Sequence, residues 1–124
     1  MATPAEMWKN KASYDMDTAR AMLEAGRYLY VLFCCQQAVE KFLKGLIAER
    51  TATHPPRIHQ LVRLAGLAEV HASVNQQDFM RELSAFYIQT RYPEEIAAAE
   101  IARETAVRTL SETEEFIEWL KSMS

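Results

Sequence analysis

The sequence predicts a single all-α domain over residues 1–124, an antiparallel up-and-down bundle of four long helices plus one short helix. Three observations predict this fold class. The chain contains only three Gly and four Pro, so few positions interrupt a helix. Apolar residues recur at three- and four-residue steps along most of the chain, and no segment alternates with the two-residue period of a strand. A chain of this length also buries one core without disulfides or metals.

The first helix is predicted to begin at Thr3, whose hydroxyl suits an N-cap. Pro4 follows at the first helical position and Glu6 at the third, which completes a capping box. Gly26 supplies the stop. The apolar stripe between these signals consists of Trp8, Ala12, Met16, Ala19 and Leu23.

The second helix is predicted from Arg27 to about Glu49. Its stripe contains Tyr28, Val31, Leu32, Cys35, Val39, Phe42, Leu46 and Ile47. Gln37, Glu40, Lys41 and Lys44 share another face by their spacing, and Glu40 and Lys44 form an i,i+4 pair. This polar face is either an ordinary solvated surface or a groove with two cations for an anionic ligand.

Pro55 and Pro56 prevent the second helix from continuing. A short helix is predicted after them, with Ile58, Leu61, Val62, Leu64 and Leu67 as its apolar residues, and a loop from Gly66 to Ser73. Asn75 is expected to cap the next long helix, whose stripe is Phe79, Leu83, Phe86 and Tyr87. That helix is interrupted at 91–93, and the last helix is expected from about Ala97.

Charge and composition restrict the partners. The net charge is −3 and the pI about 5.6, so any contact with RNA needs a local basic patch. No apolar run reaches the roughly 20 residues that cross a bilayer, and no basic N-terminal segment precedes an apolar stretch. We therefore expect a cytoplasmic protein without a membrane partner.

Metal and redox sites have little support in the sequence. Cys34 and Cys35 are adjacent within a helical pattern, where an unstrained disulfide is difficult to form. His54, His59 and His71 are dispersed, so we expect neither a metal site nor a cofactor.

Several segments in a fixed order resemble the HEPN domain family, and the likeness covers nearly the whole chain. They comprise Trp8, Ala12, Asp15, Met16 and Ala19; Gly26 and Tyr28; the block 36–44 with the sequence Gln-Gln-Ala-Val-Glu-Lys-Phe-Leu-Lys; Pro56 to Leu61 with Leu64; and Arg91-Tyr92-Pro93. The resemblance implies a helical bundle that usually dimerises and is often encoded beside a minimal nucleotidyltransferase in prokaryotic toxin–antitoxin pairs. Many relatives are metal-independent endoribonucleases, with an Arg, four to six residues and a His late in the fold.

This sequence departs from the nuclease pattern because no His follows Arg91. Arg91 and Tyr92 are nevertheless the best candidate ligand-binding residues, since a guanidinium holds phosphate and a ring stacks on a base. Alternatively, Tyr92 packs into the end of the bundle and Arg91 pairs with a nearby acid. His59 is expected to cap the short helix or to form a hydrogen bond across the bundle rather than to act in catalysis.

The leading hypothesis is a homodimeric protein with weak or no nuclease activity that binds a nucleotide or a partner nucleotidyltransferase. Its proposed contact residues are Gln37, Glu40, Lys41, Lys44, His59, Arg91 and Tyr92, and no catalytic residue is assigned. One alternative is a metal-independent endoribonuclease toxin that uses Arg91 and Tyr92 with another base. The other is a non-catalytic dimeric interaction module, for which Trp8, Phe79, Phe86, Phe116 and Trp119 could supply a surface aromatic cluster.

Overall fold

The computed structural model describes residues 1–91, the last four by their backbone only, and residues 100–123; in these ranges every regular element is a helix. The helices are α1 (Pro4–Glu24), α2 (Tyr28–Thr51), α3 (Leu61–Leu67), α4 (Val74–Arg91) and α5 (Arg103–Lys121). This confirms the predicted all-α bundle of four long helices and one short helix. Tyr92, Pro93 and Ala97 lie outside the described residues.

α1 begins as the sequence predicts. The Glu6 backbone N–H donates to the Thr3 hydroxyl at 3.2 Å, and the Thr3 backbone N–H donates to the Glu6 carboxylate at 3.0 Å. This reciprocal pair satisfies two donors that a helix start leaves unpaired. Gly26 has a φ of +73°, a left-handed conformation that glycine adopts without steric cost, and the chain turns there into α2.

α2 is the central helix and packs against each of the other four described helices. Lys9 near the start of α1 pairs with Glu49 near the end of α2 at 2.8 Å, so these helices are antiparallel. Arg50 at the end of α2 donates to the Met123 carbonyl, just beyond α5, at 2.9 Å, which makes α2 and α5 run in the same direction. α4 runs opposite to both, because the Phe33 ring near the start of α2 lies 6.1 Å from the Tyr87 ring near the end of α4. The four long helices therefore alternate in direction along the chain, as in an up-and-down bundle.

Two predicted helix starts are wrong by a few residues. α4 begins at Val74, and its cap is Ser73 rather than Asn75. The Ser73 hydroxyl accepts from the Gln76 backbone N–H at 3.1 Å, and the Gln76 side chain accepts from the Ser73 N–H at 2.8 Å. The sequence contains this Ser-x-x-Gln capping box, which outranks a lone Asn. α5 begins at Arg103, so residues 101 and 102 precede the helix, and Gly66 lies inside α3.

The predicted surface cluster of aromatic residues is not formed as expected. Phe116 is only 6% exposed and belongs to the core. Phe79 and Trp119 are partly buried against it, each with a ring centroid 5.5 Å from that of Phe116. These three rings pack against one another between α4 and α5, so they stabilise the bundle instead of forming a surface aromatic cluster. None of the helices in the described ranges is both long and apolar enough to cross a membrane.

α1 packs tightly against α2 at Gly45, and replacement of this glycine tests that packing. A Cβ at this position would lie 2.9 Å from the Lys9 Cγ and 3.2 Å from the Ala5 carbonyl oxygen. Gly45→Val is therefore expected to lower the free energy of unfolding by about 2 kcal/mol in urea denaturation. Gly66→Ala is the control, because a Cβ there meets nothing within 4 Å and should raise stability by about 0.5 kcal/mol. Equal effects at the two positions would contradict the close crossing.

Candidate functional site

The polar face of α2 is buried. Glu40 is 2% exposed, Lys44 is 6% exposed and Gln36 is fully buried. The interpretation of this face as an ordinary solvated surface is therefore wrong for Glu40 and Lys44. The physical reason is the central position of α2, since α1 and the residues before α3 both pack over this face.

Glu40 is the centre of a hydrogen-bonded group. Its Oε1 accepts from Gln36 Nε2 at 3.0 Å and lies 3.0 Å from His59 Nδ1, while its Oε2 accepts from Lys44 Nζ at 3.1 Å. The Lys44 ammonium also lies 5.5 Å from the centroid of the Trp8 ring. We call this group, with the residues linked to it, the Glu40 network; its members are Gln36, Gln37, Glu40, Lys41, Lys44, His59 and Tyr87.

The pKa of Glu40 is lowered despite its burial. Desolvation, the largest single effect, raises this pKa, but the hydrogen bonds from Gln36 and His59 and the charge of Lys44 together lower it by more. Glu40 is therefore a carboxylate at neutral pH and offers only acceptors. His59 therefore donates from Nδ1 to Glu40, and its Nε2 lies 3.1 Å from the Tyr87 hydroxyl.

His59 and Tyr87 form the outer end of the network. Their ring centroids are 4.1 Å apart with an interplanar angle of 20°, and the Phe33 ring lies 6.1 Å from that of Tyr87. The His59 side chain is 41% exposed, whereas that of Glu40 is 3% exposed. This confirms the expectation that His59 forms a hydrogen bond across the bundle. The network thus runs from a buried charge to an accessible imidazole.

Lys41 and Gln37 extend the network toward α1. Lys41 Nζ donates to Gln37 Oε1 at 2.6 Å, and Gln37 Nε2 donates to Gln36 Oε1 at 2.7 Å. Burial lowers the pKa of Lys41, against the opposing effect of Glu40 and Asp15. Burial also raises the pKa of Asp15, whose Oδ2 is buried without a hydrogen-bond partner among the described residues.

Five of the seven predicted site residues therefore meet in one network: Gln37, Glu40, Lys41, Lys44 and His59. Arg91 is the last residue of α4, one helical turn after Tyr87. Its side chain and the whole of Tyr92 lie outside the described residues. Sequence reasoning left Gln36 out of the site and assigned Tyr87 to the core. Gln36 had a usable signal, because it stands four residues before Glu40 and hence on the same face.

A groove adjoins the exposed end of the network. One cavity of about 360 Å³ is lined by His59, Gln60, Arg81, Ser84, Ala85 and Tyr87. A second of about 470 Å³ is lined by Gln60, Val62, Arg63, Arg81 and Ser84. We call the two together the α3–α4 groove. Two arginines, Arg63 and Arg81, line it.

Neither a metal-binding cluster nor a reactive cysteine is found in the part of the chain that the structure describes. Within residues 1–91 and 100–123, no three His, Cys, Asp or Glu side chains converge to hold a metal ion. Both cysteines are unpaired, and burial raises the pKa of Cys34 to about 11 and that of Cys35 to about 12. These thiols are protonated at neutral pH and are poor nucleophiles.

Comparison with known proteins gives two matches. The family model described as HEPN domain matches residues 5–123. The crystal structure of TT1696 from Thermus thermophilus is similar over 98% of each chain, with a TM-score of 0.81 and 24% sequence identity. At that identity the similarity shows the fold alone. None of the curated proteins matches the chain significantly.

Proposed function

Since the chain belongs to the HEPN domain family, we propose that it binds a nucleotide on the exposed side of the His59–Tyr87 pair. Arg91 and Tyr92, at and just beyond the end of α4, complete the contact surface in this proposal. The observation that carries it is the accessible imidazole of His59, which is fixed by a buried carboxylate and stacked on a ring. The buried part of the Glu40 network positions this surface; it contains Glu40, Lys44, Gln37 and Lys41.

The chemistry of the pair suits a nucleotide. Aromatic faces stack on bases of any sequence, and the two rings are already close to parallel. Arg91 follows Tyr87 by four residues, about 6 Å along the helix, a separation that an arginine can span to donate to the stacked nucleoside. Both ring nitrogens of His59 have partners, so little side-chain freedom remains to be lost on binding.

Calorimetric titration with AMP, ATP and GTP tests the proposal. We expect saturable binding to the wild type and about tenfold weaker binding to His59→Ala and Arg91→Ala, because each loses a stacking face or a charged hydrogen bond. His54→Ala is the control, since His54 is an exposed histidine of the same loop region outside the network. Absence of heat for every nucleotide at millimolar concentration with the wild type would remove the proposal.

A second candidate function is metal-independent cleavage of RNA. The specific observation in its favour is that the Glu40–His59 pair supplies an imidazole close to α4, although no His follows Arg91 in the chain. In this alternative, Nε2 of His59 accepts the proton of a ribose 2′-hydroxyl after the substrate displaces the Tyr87 hydroxyl. The 2′-oxygen attacks the adjacent phosphorus to form a 2′,3′-cyclic phosphate, the bond from phosphorus to the 5′-oxygen breaks, and the leaving oxygen takes a proton from water.

Incubation of RNA with the protein in EDTA separates the two functions. Cleavage that is lost in both His59→Ala and Arg91→Ala but kept in His71→Ala would establish the nuclease. If RNA stays intact under conditions in which nucleotides bind, nucleotide binding remains and the nuclease function is rejected.

Family membership also supports a proposal about partners. We propose that two copies of the chain associate and that a minimal nucleotidyltransferase is a further partner. Sedimentation equilibrium at tens of micromolar tests the first, and a monomer there would count against it. Co-purification with such a nucleotidyltransferase tests the second.

A further inference from the structure

We infer that Arg63 of α3 and Arg81 of α4 form a phosphate-binding pair in the α3–α4 groove. The ligand class is a nucleoside 5′-diphosphate or triphosphate, whose base lies at the His59–Tyr87 pair and whose phosphates extend along the groove. This inference rests on the proposed nucleotide-binding function and assigns the direction in which the nucleotide lies.

The two cavities of the groove are adjacent, one beside the rings and the other beside both arginines. They share Gln60, Arg81 and Ser84, so a ligand that leaves the rings passes Arg81 before it reaches Arg63. The cavities, of about 360 and 470 Å³, are within the size range of small-molecule sites. In the inferred orientation, the first phosphate lies in the cavity beside the rings, and a second or third extends into the cavity beside Arg63.

The charge of the groove is opposite to that of the chain. None of its lining residues is a carboxylate, although the chain as a whole has a net charge of −3. Arg63 is exposed, and it approaches the groove from a different helix than Arg81. Two arginines that line one cavity from different helices can offer several donors to phosphate oxygens.

The internal partners of Arg81 are weak competitors for a phosphate. Arg81 pairs with Asp78 at 3.1 Å, and the two side chains are 59% and 66% exposed. Its other described partner is the side-chain Oε1 of Gln77 at 3.4 Å. Exposed i,i+3 pairs of this kind contribute little stability, so a doubly charged phosphate can replace the carboxylate.

A hydrogen bond joins the two walls of the groove. The Leu61 backbone N–H at the start of α3 donates to Ser84 Oγ of α4 at 3.1 Å. Because Ser84 accepts in this bond, its hydroxyl hydrogen can be donated to another acceptor, such as a phosphate oxygen. The groove therefore has two cations and a hydroxyl donor on walls that are held together.

Calorimetry with adenosine, AMP, ADP and inorganic pyrophosphate tests the inference. We expect ADP to bind more tightly than AMP, with Arg63→Gln and Arg81→Gln each weakening ADP binding about tenfold. The double variant should weaken it by a larger factor and should leave adenosine binding unchanged. Arg108→Gln is the matched control, because Arg108 is 60% exposed on α5 and pairs with Glu112 at 3.6 Å. Circular dichroism of each variant confirms that the helices are retained.

The outcomes separate this inference from the function on which it rests. ADP binding that is weakened by His59→Ala but not by the arginine variants would overturn the inference and leave the function. Pyrophosphate binding that the double variant abolishes, without any binding of adenosine, would retain the arginine pair and overturn the nucleotide function. Single-stranded RNA that binds through both arginines when ADP does not would overturn the ligand class.

Discussion

Glu40→Ala is expected to lower the free energy of unfolding by about 3–5 kcal/mol, because it leaves a buried cation without its partner. The Lys44 side chain is 8% exposed and has the Glu40 carboxylate at 3.1 Å. Gln36 and His59 lose an acceptor in the same substitution. Urea denaturation followed by circular dichroism measures the change.

Two control variants test whether the stability lost in Glu40→Ala comes from an unpaired buried charge. Glu49→Ala removes an ion pair with Lys9 at 2.8 Å, but Glu49 is 41% exposed, so the expected effect is below about 1 kcal/mol. The double variant Glu40→Leu/Lys44→Met removes both charges and should recover most of the stability lost in Glu40→Ala. A Glu40→Ala protein as stable as Glu49→Ala would show that the buried pair does not exist.

Acidification is the second large effect expected. Because the pKa of Glu40 is lowered from its ordinary value of 4.5, the folded state binds this proton less readily than the unfolded state does. The stabilisation is fully present above pH 4.5 and is lost as the pH falls through the pKa of folded Glu40. The free energy of unfolding should therefore fall with acidification in this range, and Glu40→Gln should remove that part of the dependence. An identical acid profile for wild type and Glu40→Gln would contradict the assignment.

The pKa of Asp15 is shifted in the opposite direction to that of Glu40, so Asp15 should have the opposite effect on stability as the pH falls. Its pKa is raised from 3.8, chiefly by burial, so the folded state disfavours its charge. The destabilisation from Asp15 is present above its folded pKa and is relieved as the pH falls toward 3.8. Asp15→Asn is expected to raise the thermal midpoint at neutral pH and to have a smaller effect in acid, below the ordinary pKa of 3.8. Thermal scans at the two pH values check both signs.

Much of the fold could be predicted from local signals in the sequence. Thr3, Pro4 and Glu6 fix the start of α1, and Gly26 fixes its end, because these residues act on backbone groups within one turn. The errors occurred where two caps competed, as at Ser73 and Asn75, or where apolar spacing continued past the helix, as at residues 101 and 102. The spacing of apolar residues shows which of them share a helix face. It does not show at which residue the backbone leaves helical geometry.

The site was harder to predict because its environment depends on tertiary packing. The spacing placed Glu40 and Lys44 on one face, but only the packing of α1 and of the residues before α3 shows that this face is buried. His59 is 19 residues from Glu40 and 28 from Tyr87 along the chain, and no local pattern joins them. For the same reason, the absence of a His after Arg91 did not reveal that an imidazole reaches α4 from another segment.

The His59–Tyr87 pair, held by buried Glu40, is in our proposal the surface that meets a nucleotide. The most direct measurement is an NMR titration of the full chain with ADP at neutral pH, following the ring signals of the three histidines. We predict saturable shifts of the His59 signals, while those of His54 and His71 remain in place. Saturable binding that leaves His59 unmoved, or the absence of any shift at millimolar ADP, would contradict the proposal.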